Sequence, residues 1–323
     1  METRVAVLIP CLDEEASIEK VVRDFRRALP GAIVYVYDNG SADQTVERAK
    51  SAGAVVRSEP LRGKGNVVRR MFADVEADVY VLVDGDDTYD PSSAPALVDL
   101  LQREQLDMLN AARVESDQAA YRAGHRFGNR LLTGMVAFVF GNRLRDLLSG
   151  YRVLSRRFVK SFPALSSGFE IETEITVHAL ELRMPITEVE TRYKERPPGS
   201  SSKLRTFRDG LRILRTIVIL LKEGRPLAFF STLFSLLAAS SVALALPVFE
   251  TYERTGLVPR LPTAVLATGI MLLAFLSLAS GLILDSVARG RRELKRLHYL
   301  MIDSAGTSAA RGREPLPRVG AAG

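Results

Sequence analysis

The chain opens with a short apolar run, Val5–Ile9, followed by a polar stretch in which Ile18, Val21, Val22 and Phe25 recur three and four residues apart. The run is the pattern of a buried strand. The spacing is that of a helix with one apolar face, over Glu15–Leu29. The alternation continues. It predicts strands at Ile33–Tyr37, Val55–Val56, Val79–Val83 and Met108–Ala112. It predicts helices from an N-cap at Ser41 through Ala52, at Lys64–Val75 and at Ser92–Leu101. Strand and helix following one another about every 20–25 residues imply an α/β domain with a mainly parallel sheet covered on both faces. Further on, 170–184 reads as a helix and 186–192 as an edge strand or extended segment.

Between these parts the pattern changes. The run "LLTGMVAFVFG" lies between Arg126 and Arg130 on one side and Arg143 and Arg145 on the other. Its uncharged stretch, 131–142, is too short to span a bilayer, so a buried helix and a helix in the head-group region are the two readings. Over 203–222, Leu204, Phe207, Leu211, Leu214, Val218 and Leu221 form one apolar stripe, and Arg205, Arg208, Arg212 and Arg215 repeat the spacing one residue later. A basic band beside an apolar stripe suits a helix lying on an anionic membrane, with a domain-packing helix as the alternative. Residues 227–249 and 261–284 are uncharged, and each is long enough to cross about 30 Å of hydrocarbon as a helix. Lys222 and Arg225 precede the first, and Arg289, Arg291, Arg292, Lys295 and Arg296 follow the second. That bias puts both outer flanks, and the whole N-terminal part, on the cytoplasmic side of an inner (plasma) membrane.

Composition sharpens this division. The 323 residues are 47% apolar and 25% charged, which excludes a disordered chain, yet 226–284 carry charge only at Glu250, Glu253, Arg254 and Arg260. The net charge of +6 suits anionic partners: nucleic acid, acidic lipid head groups or nucleotide diphosphates. The one cysteine, Cys11, permits no internal disulfide and reads as a packed small residue. "METRVAVLIP" has too short an apolar run for a signal peptide.

The candidate chemistry centres on "VYVLVDGDDTYDP", 79–91, an apolar strand that ends in Asp84, Asp86, Asp87 and Asp90. Open α/β sheets bind ligands at the carboxyl ends of their strands. Asp84 and Asp86, one residue apart beyond such an end, can converge on Mg²⁺ or Mn²⁺, which bridges phosphates and neutralises a departing diphosphate. Asp87 is a candidate to orient a neighbouring group or touch a sugar, and Asp90 to cap the next helix. Asp38 ends "IVYVYD" and is a candidate for a base or ribose, with Asn39 and Gly40 forming a turn. "RGKG" at 62–65 is a basic phosphate-contact candidate without the Walker spacing, and no GxGxxG follows the first strand. His125, His178 and His298 lack metal-ligand spacing, and Ser149 and Ser155 lack a GxSxG setting.

"LIPCLDEE" at 8–15, "VYDNGSADQT" at 36–45, "RGKGNVVRRMF" at 62–72, "VDGDDTYDP" at 83–91, "SGYRVLSRRFV" at 149–159, "GFEIETEITVHALE" at 168–181 and "RPPGSSSKLRTFRDG" at 196–210 together resemble family 2 glycosyltransferases of the GT-A fold. The resemblance is greatest to bacterial polyprenyl-phosphate glycosyltransferases, relatives of dolichyl-phosphate mannose synthase. It covers about 1–225, and the paired C-terminal spans resemble the same family's anchor. "DNGS" stands in place of the commoner "DDGS", and Thr88 in place of a glutamine that can help hold the metal. The resemblance implies that Pro10, Glu14, Asp38, Gly40 and Lys64 hold a nucleotide sugar. It implies Asp84 and Asp86 as metal ligands and Glu170 and Glu172 beside the sugar. Arg126, Arg130 and Arg152 become candidates for donor or acceptor phosphates, Arg205 and Arg208 for the lipid phosphate, and Lys203 for closure over the diphosphate. Asp84, Asp86, Asp87 and Arg152 form the expected catalytic set.

The expected architecture is therefore a Rossmann-like GT-A domain over 1–202, an interface helix over 203–225, a two-helix transmembrane anchor over 226–285 and a basic cytoplasmic segment with a tail over 286–323. The expected reaction is inverting hexose transfer, first from UDP-glucose, to polyprenyl phosphate. Transfer to another lipid or glycan acceptor is the enzymatic alternative. A non-catalytic membrane scaffold is the alternative from another class. The chain has no Trp and two spans, against the channel and "QxxRW" motif of a processive synthase. Paired hairpins are compatible with a homo-oligomer.

Overall fold

The computed structural model describes residues 3–115, 145–194, 219, 222 and 224–303. The chain divides into two compact units, Met1–Leu214 with Lys295–Gly323, and Arg215–Leu294.

The first unit is built on a seven-stranded sheet. Its strands are β1 (Val5–Cys11), β2 (Ile33–Asp38), β3 (Val55–Ser58), β4 (Val79–Leu82), β5 (Met108–Glu115), β6 (Arg152–Ser155) and β7 (Ile186–Tyr193), in the order β3-β2-β1-β4-β6-β5-β7. β1, β2, β3 and β4 pair in parallel, as do β5 and β7; β6 pairs antiparallel with both β4 and β5. The sheet is mainly parallel, as the alternation predicts, with β6 alone reversed. That strand was not predicted. It is four residues long, and only Val153 and Leu154, between Arg152 and Ser155, are apolar.

Helices cover both faces. On one lie α1 (Ile18–Ala28), α2 (Thr45–Ser51) and α4 (Ala94–Arg103); Ile18, Val21, Val22 and Phe25 of α1 are buried there against Val7, Ile9, Val34, Val36, Val79 and Val81. At roughly 1.5–3 kcal/mol per fully buried side chain, this stripe is why a chain segment rich in charge still folds as a helix. On the other face lie α3 (Lys64–Asp74), α5 (Arg156–Ser161) and α6 (Ile171–Glu181), around Val67, Val68, Met71, Phe158 and Ile175. The helix expected from a Ser41 cap begins instead at Thr45. The Ser41 hydroxyl is engaged elsewhere, accepting from Asp13 N at 2.9 Å, while Asp43 accepts from Thr45 N at 3.0 Å. Asp90 does cap, accepting from Ser92 N at 3.1 Å at a 3₁₀ turn ahead of α4.

The second unit is a helical hairpin. α7 (Pro226–Thr255) and α8 (Leu261–Met301) contain the two expected spans and exceed them. α7 continues through Pro247, and Gly256 ends it at φ +66°. Small and hydroxyl residues bring the helices together: Ser241 Oγ donates to Ala267 O at 2.7 Å, Ser277 Oγ to Phe230 O at 3.2 Å, and Gly281 leaves no room for a Cβ beside Phe230. Such contacts are typical where apolar side chains gain nothing by leaving lipid. Only 11% and 22% of the apolar windows are buried, unlike the mostly buried core helix of a soluble protein. Both are long and apolar enough to cross a membrane.

The last turns of α8, from Lys295, belong to the first unit. Tyr299 is buried in the α3–α5–α6 core, and its hydroxyl donates to Asp107 Oδ2 at 2.5 Å. Lys295 pairs with Glu181 at 2.7 Å, and the Arg157 guanidinium lies 5.0 Å from the Tyr299 ring centre.

Candidate active site

The register of the sheet sets the site. Leu8 of β1 pairs with Leu82 of β4, and Cys11 pairs with Asp38 at the end of β2. Pro10, Asp38 and Asp84 therefore leave the sheet at one edge, the carboxyl edge, where α/β sheets present ligand sites. A cavity of about 260 Å³ opens there. Its walls include Pro10, Glu14, Asn39, Arg62, Lys64, Asp84, Asp86 and Phe169.

Each wall residue is held by a local device. "RGKG" turns into α3 at Gly63, with φ +124°. Gly65 N donates to Ser167 O at 3.1 Å, and a Cβ on Gly63 or Gly65 would collide with the carbonyls of Ser167 and Ser166. These glycines let the 163–169 segment cross the start of α3 and bring Phe169 to the cavity. Asn39 fastens the opposite wall. Its Nδ2 donates to Glu59 O and Leu61 O, both at 2.8 Å, and its Oδ1 accepts from Gly63 N at 2.7 Å. An aspartate cannot donate to two carbonyls, which is the physical reason for "DNGS" in this chain. Asp38 accepts from Gly40 N at 3.0 Å and from Ser41 N at 3.1 Å, shaping the turn in which Gly40 has φ +80°.

Lys64 is the electrostatic centre. Its Nζ donates to Asp84 Oδ1 at 2.5 Å and to Glu172 Oε1 at 2.6 Å. Burial lowers the ammonium's pKa, but the carboxylates of Asp84 and Glu172 outweigh it and raise the net value. Burial raises the Glu172 pKa against the lowering effect of Lys64. Cys11, buried beneath the site, has its thiol pushed well up by burial and then by Glu14, Asp38, Asp84 and Asp86, so it is a packed thiol. Asp86 is buried and its Oδ1 accepts from the Thr88 hydroxyl at 2.6 Å. Thr88 thus orients Asp86.

Among the described residues no group of three or more His, Cys, Asp and Glu side chains is arranged to hold a metal ion. Two carboxylates on one cavity wall fit Mg²⁺ or Mn²⁺ all the same, since such ions are commonly held by one or two carboxylates with substrate phosphates and water completing the shell.

Of the expected site residues among those described, Asp38, Gly40, Asp87, Arg152 and Glu170 take no place in the cavity wall. Arg152 is fully buried and does not line the cavity. Its guanidinium donates to Leu147 O at 2.8 Å, Glu172 O at 3.0 Å, Ser149 O at 3.2 Å and Thr176 Oγ1 at 2.8 Å. Burial lowers its pKa to about 10, so it stays charged while fixing the first turn of α6 rather than a phosphate. Asp87, at φ +57°, pairs with Lys20 at 2.8 Å. Glu170 accepts from Gly168 N at 3.2 Å, shaping the turn before α6 and taking no place in the cavity wall. The nearby Glu172 reaches Lys64 instead. Arg126, Arg130, Lys203, Arg205 and Arg208, and the runs 131–142 and 203–218, lie outside the described residues.

Arg62, Phe169 and Asn39 carry more of the site than the sequence suggested. For Arg62 a signal existed in the basic "RGKG" itself; its guanidinium lies 3.3 Å from where a Cβ of Gly40 would stand.

Comparison with known proteins gives the same picture. The model of glycosyl transferase family 2 matches residues 6–162. The chain is 33% identical over 250 residues to glycosyltransferase AglJ of Haloferax volcanii, covering 77% of this chain and 82% of that one. It is 27% identical over 221 residues to a dolichyl-phosphate hexose transferase of the same organism, covering 68% and 95%. Its fold matches glucosyl-3-phosphoglycerate synthase of Mycobacterium tuberculosis, solved with Mn²⁺, uridine diphosphate and glucosyl-3-phosphoglycerate. The TM-score is 0.56 at 25% identity, over 69% of this chain and 80% of that one.

Proposed function

The chain belongs to glycosyl transferase family 2 and is a metal-dependent enzyme, and from that premise we propose that it transfers a hexose, first from UDP-glucose, to polyprenyl phosphate at the cytoplasmic face of a membrane. The observation that carries the reading is the placement of Asp84, Asp86 and Lys64 in the wall of one cavity, in a chain that also holds two helices able to span a bilayer. A soluble acceptor would leave the hairpin without a role in the reaction. The dolichyl-phosphate hexose transferase, matched over nearly its whole length, supports a lipid phosphate acceptor.

In this reading Pro10, Glu14 and Asp38 border the nucleoside, and Lys64 meets its diphosphate. Asp84 and Asp86 hold Mg²⁺ or Mn²⁺, which when bound offsets the negative charge that grows on the leaving nucleoside diphosphate. A phosphate oxygen of the acceptor attacks the anomeric carbon opposite the leaving group, so the configuration inverts. The phosphate's second pKa is about 6, so it is largely deprotonated at neutral pH and requires no strong general base. This agrees with Asp87 being tied to Lys20. Arg126, Arg130, Arg205 and Arg208 are proposed to hold the lipid phosphate, since the guanidinium fork matches phosphate oxygens. Both termini lie in the cytoplasm.

The test is transfer by purified full-length protein, with polyprenyl phosphate, Mn²⁺ or Mg²⁺, and a panel of labelled UDP- and GDP-sugars. Label should pass into the organic phase from one donor, and Asp84→Asn or Asp86→Asn should abolish it with the fold intact. Full activity in both variants would sink the ion-binding role. Transfer to a soluble phosphate acceptor and none to lipid would sink the lipid reading.

A further inference from the structure

Lys64 and Asp84 have separate tasks in the reaction above, one toward the diphosphate and one toward the divalent ion, yet here they are bound to each other. The ammonium lies 2.5 Å from Asp84 Oδ1 and 2.6 Å from Glu172 Oε1, between a carboxylate on the loop after β4 and one on α6. We propose that Lys64 is a resident counter-cation for Asp84 that the divalent ion must displace, and that Glu172 is the positioning residue that retains the displaced ammonium at the cavity wall. This rests on the reading of Asp84 and Asp86 as the ion's ligands.

The geometry makes the two cations rivals. A small divalent ion sits about 2.0–2.1 Å from its ligand oxygens. An ammonium in hydrogen-bond contact with the same carboxylate would then be a few ångströms from a doubly charged neighbour. The ammonium has somewhere to go. Glu172 is buried and cannot follow Asp84, because Arg152 holds its carbonyl at 3.0 Å and the Thr176 hydroxyl at 2.8 Å. The Phe169 ring, 6.0 Å from the ammonium, lies on the cavity side. The backbone at the start of α3 is pinned by Gly65 N to Ser167 O, so any motion belongs to the flexible lysine stem. Released from Asp84 but kept by Glu172, the ammonium faces the space that a diphosphate would fill. Nucleotide then helps the ion by drawing Lys64 off Asp84. By reciprocity the ion helps the nucleotide by the same factor.

The experiment is titration of full-length protein in detergent micelles with Mn²⁺, followed by the free-Mn²⁺ electron-spin-resonance signal, with and without UDP. Wild type should bind Mn²⁺ weakly alone and more tightly with UDP. Lys64→Met should bind Mn²⁺ alone more tightly, on the order of tenfold, with the UDP enhancement lost. Glu172→Gln should bind Mn²⁺ alone more weakly, because the ammonium keeps only Asp84. The decisive variant is Lys64→Met/Glu172→Gln. It leaves the net charge of the site unchanged and removes the buried Glu172 charge together with the ammonium, so a net-charge effect alone expects wild-type affinity whereas displacement of the ammonium from Asp84 expects tighter binding. Wild-type Mn²⁺ affinity in that double variant, with circular dichroism showing a native fold, overturns the proposal. Unchanged affinity in Glu172→Gln overturns the role of Glu172. Failure of the underlying reading looks different: wild type would then bind no Mn²⁺ even with UDP, or Asp84→Asn would bind it as well as wild type.

Discussion

Asp84 can occupy its position only because Gly150 stands beside it. A Cβ at Gly150 would run into the Asp84 carboxylate, while Gly150 N donates to the Tyr89 hydroxyl at 2.7 Å. The Tyr89 ring packs 5.6 Å from Tyr151 and 5.4 Å from Tyr193, so the acidic loop and the strand leading into β6 are fastened at one point. Gly150→Ala should therefore push Asp84 off its wall. A misplacement of about 1 Å costs on the order of 10²-fold in rate, so kcat/KM should fall by about that factor while the melting temperature moves little. An active Gly150→Ala enzyme would show that Asp84 tolerates displacement. The acids themselves were legible, because "DGD" follows an unbroken apolar strand. Gly150 was not, because its use depends on β6 folding back between β4 and β5. Arg152, a phosphate candidate by the family resemblance alone, was opaque for the same reason: only the pairing of β6 shows its guanidinium enclosed by carbonyls.

At the scale of elements, periodicity served where one face is apolar and failed where an element is buried all round. α1 was legible from four residues. α6 was legible as a helix but not in its role, since Glu172, Thr173, Thr176 and His178 are polar yet buried along it. His178 carries a consequence for stability. It packs edge-on against Phe158 and Phe162, its Nε2 lies 3.3 Å from the Ser161 hydroxyl, and Nδ1 has no hydrogen-bond partner among the described residues. Burial, and then the nearby Lys295 ammonium, lower its pKa from 6.5 to about 3. The folded imidazole thus resists protonation where the unfolded one accepts it. Between pH 6.5 and pH 3 the unfolded chain binds more protons, so this group's contribution to stability is intact above 6.5 and is lost as pH falls. The slope contributed is at most about 1.4 kcal/mol per pH unit. Denaturant melts of wild type and His178→Gln at pH 7.5, 6 and 5 should show wild type losing more stability on acidification. Parallel losses in the two proteins would remove His178 as the cause.

At the scale of the whole molecule, the sequence divides cleanly into a charged α/β part and an apolar hairpin, and that division suggests cutting at 227 to obtain a soluble enzyme. Tyr299 argues otherwise. Asp107, at the start of β5, is buried and has two donors, the Ser155 hydroxyl at 2.6 Å and the Tyr299 hydroxyl. Lys295 and Arg296 add contacts to Glu181 and to Leu182 O, and Arg157 donates to Ile302 O at 3.1 Å. No sequence pattern marked these residues, since a basic stretch after a long apolar helix already has an explanation in the expected topology. A chain ended at 226 loses all of them and leaves a buried carboxylate oxygen short of its donor, a defect worth about 1–3 kcal/mol before the lost apolar cover is counted. The single variant Tyr299→Phe isolates the hydroxyl and should cost that amount. A chain ended after Asp303 keeps every one of these contacts and should melt with the full-length protein. Thermal melts of the four proteins in the same detergent check the order: full length equal to the Asp303 stop, Tyr299→Phe lower, the 226 stop lowest. A 226 stop as stable as full length would mean that the end of α8 rests on the catalytic unit without supporting it.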